Sequence, residues 1–166
     1  MRIYSPDFAY GTTIPSQYTC EGEDVSPPLI WEGVPGRAKS LALIVDDPDA
    51  PDPAAPKMVY VHWVVHNLPL PDKPLHPFKL ARGASGKDMP AGSVEGINDW
   101  KNTGYGGPCP PIGRHRYYFK LYALDTTLPD EPMTKDELLK AMEGHIVDTA
   151  EHMGTYRKQE KKKKVA

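Results

Sequence analysis

Several features that would place this chain in a functional class are absent from its sequence. No apolar run approaches the roughly 20 residues that a membrane-spanning helix needs, so we predict no stable membrane insertion. The chain also has no large excess of charge of one sign, because its 20 Lys and Arg residues nearly balance its 22 Asp and Glu residues. The formal net charge is −2. That balance gives no global positive field, and we therefore predict no nucleic-acid partner.

Common enzyme signatures are missing as well. The segment Gly83–Lys87 resembles a phosphate loop, but Ala81 and Asp88 break the Gly-x-x-x-x-Gly-Lys-Ser/Thr pattern. The same segment fails the Gly-x-Ser-x-Gly pattern of serine hydrolases at Lys87. There is no His-Glu-x-x-His either. We predict no catalytic residue, no metal site and no cofactor.

The sequence has few cysteines and no recognisable leader. Residues Met1–Pro6 contain no apolar core of a secretion signal, so we expect a cytoplasmic protein. The two cysteines, Cys20 and Cys109, have no Cys-x-x-Cys spacing. Cytosolic thiols are normally reduced, and we expect two separate thiols rather than a disulfide. The alternative is that Cys109, within a Gly/Pro loop, is exposed and reactive.

Proline is abundant, and its 19 residues cluster between apolar runs. Because proline cannot donate to a strand ladder, this pattern indicates strands separated by stiff loops. The 166 residues suit a single domain, which we place at residues 1–157. We predict long strands at 41–45, 58–68 and 116–124, and short ones near 3–4, 29–31 and 92–96.

One helix is predicted near the C-terminus. Thr134 and Glu137 form a capping box, and apolar residues then recur at helical spacing through Met153, with Gly154 as the stop. A basic tail over residues 158–166 follows, with Lys161–Lys164 at its centre. We expect that tail to be solvated.

Chemistry-bearing side chains concentrate in three places. Asp46, Asp47 and Asp49 follow an apolar run on a predicted turn, where they either shape the turn or orient a ligand. His62 and His66 lie on one predicted strand, about 13 Å apart at ~3.3 Å per residue, so they cannot share one metal ion. Each is either a hydrogen-bonded structural residue or part of a ligand site.

The third place is the segment Gly106–Tyr117. Its glycines permit close approach of backbone to a ligand, and its prolines stiffen the loop. His115 and Tyr117 are two residues apart on a predicted strand, so they share a face and offer hydrogen-bond donors to an anion. Acids, imidazoles and a phenol at separate strand ends are typical of a pocket for a small polar ligand.

Together these segments resemble one family, the phosphatidylethanolamine-binding proteins, also called Raf kinase inhibitor proteins. The motifs that carry the resemblance are 14–31, Asp47–Pro51, His62–Asn67, Gly107–Tyr117 and 144–156. They cover most of residues 1–157. The resemblance implies a mainly β fold, in which a large antiparallel sheet packs with a smaller one in a Greek-key-like sandwich with peripheral helices.

The resemblance also implies an anion pocket and its residues. Carried over to this chain, the pocket residues are Asp47, Asp49, Pro51, His62, Gly107, Pro108, His115 and Tyr117. Imidazole and phenol donors would hold the anionic oxygens, and the carboxylates would hold the histidines.

The expected function is binding of small anionic or phosphorylated ligands by a cytoplasmic homodimer. Two alternatives stay open. One is inhibition of a kinase or protease partner, and the other is weak phosphoester hydrolysis by the histidines and the Asp cluster.

Overall fold

The computed structural model describes residues 1–73 and 76–159. Its elements are β1 (Arg2–Tyr4), a 3₁₀ turn (Ser16–Tyr18), β2 (Leu29–Glu32), β3 (Ser40–Ala50), β4 (Met58–Leu68), β5 (Phe78–Leu80), β6 (Val94–Glu95), β7 (His115–Leu124), α1 (Lys135–Met142) and β8 (Ile146–Tyr156). Most of the predicted tail lies at residues 160–166, outside the described part of the chain.

The strands form two antiparallel sheets. The smaller sheet has the order β1-β2-β5, and the larger has the order β6-β4-β3-β7-β8. This confirms the predicted mainly β fold with a large and a small sheet. Beside the sheets, the described residues contain one α-helix and the 3₁₀ turn. None of their helices is long and apolar enough to cross a membrane.

The central strand β3 is covered on both faces, which explains its unbroken apolar run. Leu41, Leu43 and Val45 pack in the core cluster shared by the two sheets. Ala42 and Ile44 belong to a second cluster that contains the buried side of α1. A strand buried on both faces has no need of alternating polar residues.

The acidic segment belongs to β3 rather than to a turn after it. β3 continues through Ala50, and its pairing shifts register on either side of Asp46 and Asp47. Such bulges change the direction of side chains locally. The ends of β3, β4 and β7 that carry Asp47, Tyr60 and His115 therefore meet at one edge of the large sheet.

The predicted start of the helix is confirmed, but its predicted end is wrong. Thr134 caps α1 in a capping box with Glu137, as expected. The helix stops at Met142, Gly144 adopts φ +78°, and residues Ile146–Tyr156 form β8 paired with β7. The apolar recurrence beyond residue 142 fits a helix by spacing, but a long partner strand and β-branched residues favour the extended form.

The prediction of two free thiols is wrong, because Cys20 and Cys109 form a disulfide with a Cα–Cα distance of 5.4 Å. Two loops run side by side at this point. The Cys20 amide donates to the Pro108 carbonyl at 3.1 Å, and the Gly107 amide donates to Asp24 Oδ1 at 2.8 Å. The spacing of the two cysteines in the sequence does not indicate that these loops lie side by side. Disulfides are typical of oxidising compartments but also occur in intracellular proteins of hyperthermophiles.

We expect Gly154→Ala to destabilise the fold. A Cβ at Gly154 would lie 2.5 Å from Ile14 Cγ1 and 2.7 Å from Phe8 Cε2, and both side chains belong to the core. Overpacking of this kind costs about 1–3 kcal/mol of unfolding free energy. Denaturant unfolding measures it, with Gly36→Ala as the control, since a Cβ there meets no atom within 4 Å. Equal stability of the two variants would contradict the packing argument.

We expect the double variant Cys20→Ala/Cys109→Ala to lose about 2–5 kcal/mol of unfolding free energy. The disulfide joins residues 89 apart in sequence, so its removal frees a long loop in the unfolded chain. The measurement is denaturant unfolding of the oxidised protein, the reduced protein and the variant. The reduced protein should match the variant. A loss below about 0.5 kcal/mol, which is ordinary for surface substitutions, would refute this expectation.

Candidate functional site

A cavity of about 280 Å³ opens at the sheet edge where β3, β4 and β7 meet. It is lined by Asp47, Ala50, Pro51, Met58, Tyr60, His62, Trp100, Cys109, Pro110, Pro111, His115 and Tyr117. Five of the eight residues predicted from the sequence line it directly, namely Asp47, Pro51, His62, His115 and Tyr117. The other three, Asp49, Gly107 and Pro108, are not among its lining residues.

A larger groove of about 570 Å³ runs along residues 2–10 and 151–152. Its buried histidine, His152, contacts the Phe8 carbonyl through Nε2 at 3.0 Å. Its Asp7 accepts the Tyr18 hydroxyl. Because these polar groups already have partners, and the smaller cavity gathers most of the predicted site residues, we take the smaller cavity as the candidate site.

The Asp47–His115 pair forms the floor of the cavity. Both residues are almost completely buried, and Asp47 Oδ2 lies 2.5 Å from His115 Nδ1. His115 Nε2 lies 2.8 Å from the Ile112 carbonyl, which can only accept, so Nε2 carries a proton. Burial raises the pKa of Asp47, and the hydrogen bond from His115 opposes that rise. In addition to the proton on Nε2, one proton lies between His115 Nδ1 and Asp47 Oδ2. With these two protons the pair has no net charge.

Asp49 lies behind the cavity and binds Arg116. The guanidinium donates to both carboxylate oxygens, at 2.8 and 3.0 Å, and the Arg116 backbone amide donates at 2.9 Å. These hydrogen bonds lower the pKa of Asp49. The pair fastens the end of β3 to the start of β7.

His62 is held by one ring nitrogen and open at the other. It is 3% exposed, and Nδ1 donates to the Gly106 carbonyl at 2.8 Å. The Gly107 backbone also interacts with the ring. Among the described residues no group meets Nε2 with hydrogen-bond geometry, and Nε2 keeps some contact with solvent, since it is not among the fully buried unpartnered atoms. Burial lowers the pKa of His62 to about 4, so the ring is neutral at pH 7 and Nε2 presents a lone pair.

The aromatic walls orient His62 and supply hydroxyl groups. The ring centroids of Trp100, Tyr117 and Tyr60 lie 4.9, 5.1 and 5.4 Å from that of His62. Burial raises the pKa of both tyrosines, so their hydroxyls stay protonated. Neither hydroxyl has a hydrogen-bond partner within the described part of the chain, which leaves two donors for a ligand.

Gly107 and Pro108 hold the loop that forms the outer wall. A Cβ on Gly107 would lie 2.3 Å from Asp24 Oδ1 and 2.4 Å from the Tyr18 carbonyl, so the loop can approach this closely only with glycine. Together with the disulfide, these contacts place Cys109, with the two prolines that follow it, against the cavity. The two residues therefore position the wall from behind.

Sequence reasoning missed the apolar and aromatic rim of the cavity. Met58 and Trp100 are 53% and 40% exposed, and Tyr60 lies between Met58 and His62 on β4. Alternate residues of a strand share a face. The prediction of His62 as a site residue on a strand could therefore have been extended to Met58 and Tyr60. Trp100 is different, because it reaches the site through a loop packed over Gly106, at which a Cβ would lie 2.4 Å from its ring.

No group of three or more His, Cys, Asp or Glu side chains within residues 1–73 and 76–159 is arranged to hold a metal ion. The polar groups that converge in the cavity are hydroxyls, one open imidazole nitrogen and an internally satisfied acid–imidazole pair. Such a set suits hydrogen bonding to oxygen atoms of a small ligand.

Comparison with known proteins gives a consistent result. Residues 4–157 match the family model described as phosphatidylethanolamine-binding protein. A UPF0098 protein of Methanothermobacter thermautotrophicus is 53% identical over 146 residues, which are 87% of this chain and 91% of that protein.

Two solved structures extend the comparison to the fold. A putative phosphatidylethanolamine-binding protein homolog from Chlamydia trachomatis is 46% identical with a TM-score of 0.83, and the match covers 95% of this chain and 97% of that one. Escherichia coli YbcL, described as a member of the mammalian family, is 32% identical with a TM-score of 0.80 and coverage of 95% and 98%. This chain therefore belongs to the phosphatidylethanolamine-binding protein family.

Proposed function

We propose that the protein binds a small anionic or phosphorylated ligand in the cavity between the ends of β3, β4 and β7. The observation that carries the proposal is that two tyrosines with unpartnered hydroxyls and the open Nε2 of His62 line one cavity, whose inner residues are buried and whose rim is exposed. Anionic oxygens accept the hydroxyl protons, and hydrogen bonds to charged groups are about twice as strong as neutral ones.

The shape of the cavity supports a small head group with an organic remainder outside. A volume of about 280 Å³ is small for a drug-sized ligand, which typically occupies 300 Å³ or more. Met58 and Trp100 form an exposed apolar rim that would contact the remainder. The description of the matching family model, phosphatidylethanolamine-binding protein, names a ligand with a small phosphate-containing head group and an apolar remainder.

The geometry favours binding over hydrolysis. A general base needs a ring nitrogen free to take a proton, and both nitrogens of His115 are already engaged. His62 is the one lining histidine with an open nitrogen, and the one carboxylate among the lining residues, Asp47, is already paired with His115. Inhibition of a kinase or protease, a homodimeric state and a cytoplasmic location stay predictions from the family resemblance.

We expect Tyr117→Phe to weaken binding of inorganic phosphate about 10- to 150-fold, because it deletes one hydrogen bond to a charged group worth about 1.5–3 kcal/mol. The measurement is an NMR titration that follows the side-chain signals of His62. Tyr122→Phe is the matched control, since Tyr122 lies on the same strand, β7, but packs near the cluster beside α1.

The wild-type protein and the control should show the same saturable shifts. The proposed function would be contradicted if phosphate caused no saturable shift in the wild-type protein, or if the two tyrosine variants bound phosphate equally well.

A further inference from the structure

The cavity contains no uncompensated positive charge to meet an anion. Its titratable lining residues are Asp47, Tyr60, His62, His115 and Tyr117. Asp47 and His115 neutralise each other, the two tyrosines are uncharged, and His62 is neutral at pH 7. The guanidinium of Arg116, the residue after His115, is engaged by both carboxylate oxygens of Asp49.

An anion that enters such a cavity needs a counter-charge. Transfer of a charged group from water to a buried site is costly unless the charge is paired and hydrogen-bonded. Hydroxyl donors supply hydrogen bonds but no charge. Among the lining residues, His62 Nε2 is the basic nitrogen that is not already engaged, so it is the place where a proton can be added.

The surroundings of His62 include groups that favour that proton and burial that opposes it. The titratable groups that face it are Asp46 and Asp47 from β3, Tyr60 from its own strand, Asp99 from the loop before Trp100, and His115 and Tyr117 from β7. Burial is the strongest influence on the ring and opposes its charged form, whereas the backbone of Gly106 and Gly107 and the carboxylates of Asp46 and Asp99 favour it. Asp46 is itself balanced by Lys120 and Lys135, at 3.1 and 2.8 Å.

We propose that the site binds its anion together with one proton, held between His62 Nε2 and an oxygen of the ligand. The inference rests on the proposed function and adds a ligand class to it, namely singly charged phosphodiesters and the monoanion of phosphomonoesters. A doubly charged phosphomonoester enters only after it takes up one proton from solvent. No covalent bond other than that to the transferred proton forms or breaks.

Dimethyl phosphate is the probe that isolates the proton on the protein. It carries one negative charge and no titratable proton between about pH 5 and pH 8, so any pH dependence of its binding comes from the site. Because the charged ring of His62 is needed, Kd should rise about tenfold per pH unit from pH 5 upward. The rise should level off at the pKa that His62 has in the complex.

The NMR titration measures Kd through the shifts of His62 and reports the ring nitrogens directly. Nε2 of His62 should be unprotonated in the free protein at about pH 6.5 and become protonated on saturation with dimethyl phosphate.

Two variants separate the role of His62 from a general effect of pH. In His62→Gln the side-chain amide donates without titrating, so Kd should be independent of pH over the same range. His145→Gln is the control, because His145 is exposed and pairs with Asp125 rather than lining the cavity. It should keep the wild-type slope.

The outcomes distinguish this inference from the proposed function. Binding of dimethyl phosphate with a Kd that does not change with pH overturns the proton inference and leaves the proposed function in place. A pH slope that persists in His62→Gln overturns it in the same way. Absence of binding by the wild-type protein at every pH in the range, for dimethyl phosphate and inorganic phosphate alike, overturns both.

Discussion

The buried hydrogen bond between Asp47 and His115 is the contact on which the site depends. It joins residues 68 apart in sequence and links β3 to β7 where both border the cavity. His115 in turn holds the Ile112 carbonyl, and so fixes the end of the Gly/Pro loop. Loss of either partner would leave a buried, unpaired charge or a vacant acceptor, which is strongly destabilising.

The same bond determines the electrostatics of the cavity. Because the acid and the imidazole satisfy each other, neither contributes net charge to a ligand. Asp49 and Arg116 repeat this arrangement just behind the wall. The cavity is thus rich in hydrogen-bond donors and poor in charge, although the sequence places three acids, two histidines and an arginine around it. Such internal pairing restrains the side chains around the cavity, and side chains that are already ordered lose less entropy when a ligand binds.

Apolar runs and proline punctuation are local signals, and they predicted a strand-rich chain and its long strands, whereas the family resemblance supplied the pairing of a large sheet with a small one. It failed where the outcome depends on a distant partner. Ile146–Tyr156 has helical spacing yet pairs with β7, and Cys20 meets Cys109 because two loops lie side by side. The extension of β3 through its acidic residues depends on bulges that no residue type announces.

At the site, the family resemblance located residues but could not assign them separate roles. Five of the eight lie on the cavity wall, and Asp49, Gly107 and Pro108 hold the wall from behind. The sequence analysis expected His115 to donate to an anion and left His62 as either a structural residue or part of a site, whereas in the structure His115 is internally satisfied and His62 has the open nitrogen. The difference follows from their partners, which occupy both nitrogens of His115 and only Nδ1 of His62.

The most direct test of this account is the protonation of the histidine rings in the free protein, observed by nitrogen–proton NMR correlation at about pH 7. His62 should carry a proton on Nδ1 alone. His115 should carry a proton on Nε2, with a second proton in its hydrogen bond to Asp47. A doubly protonated His62, or a His115 without a proton on Nε2, would contradict the claim that the cavity holds its donors without net charge.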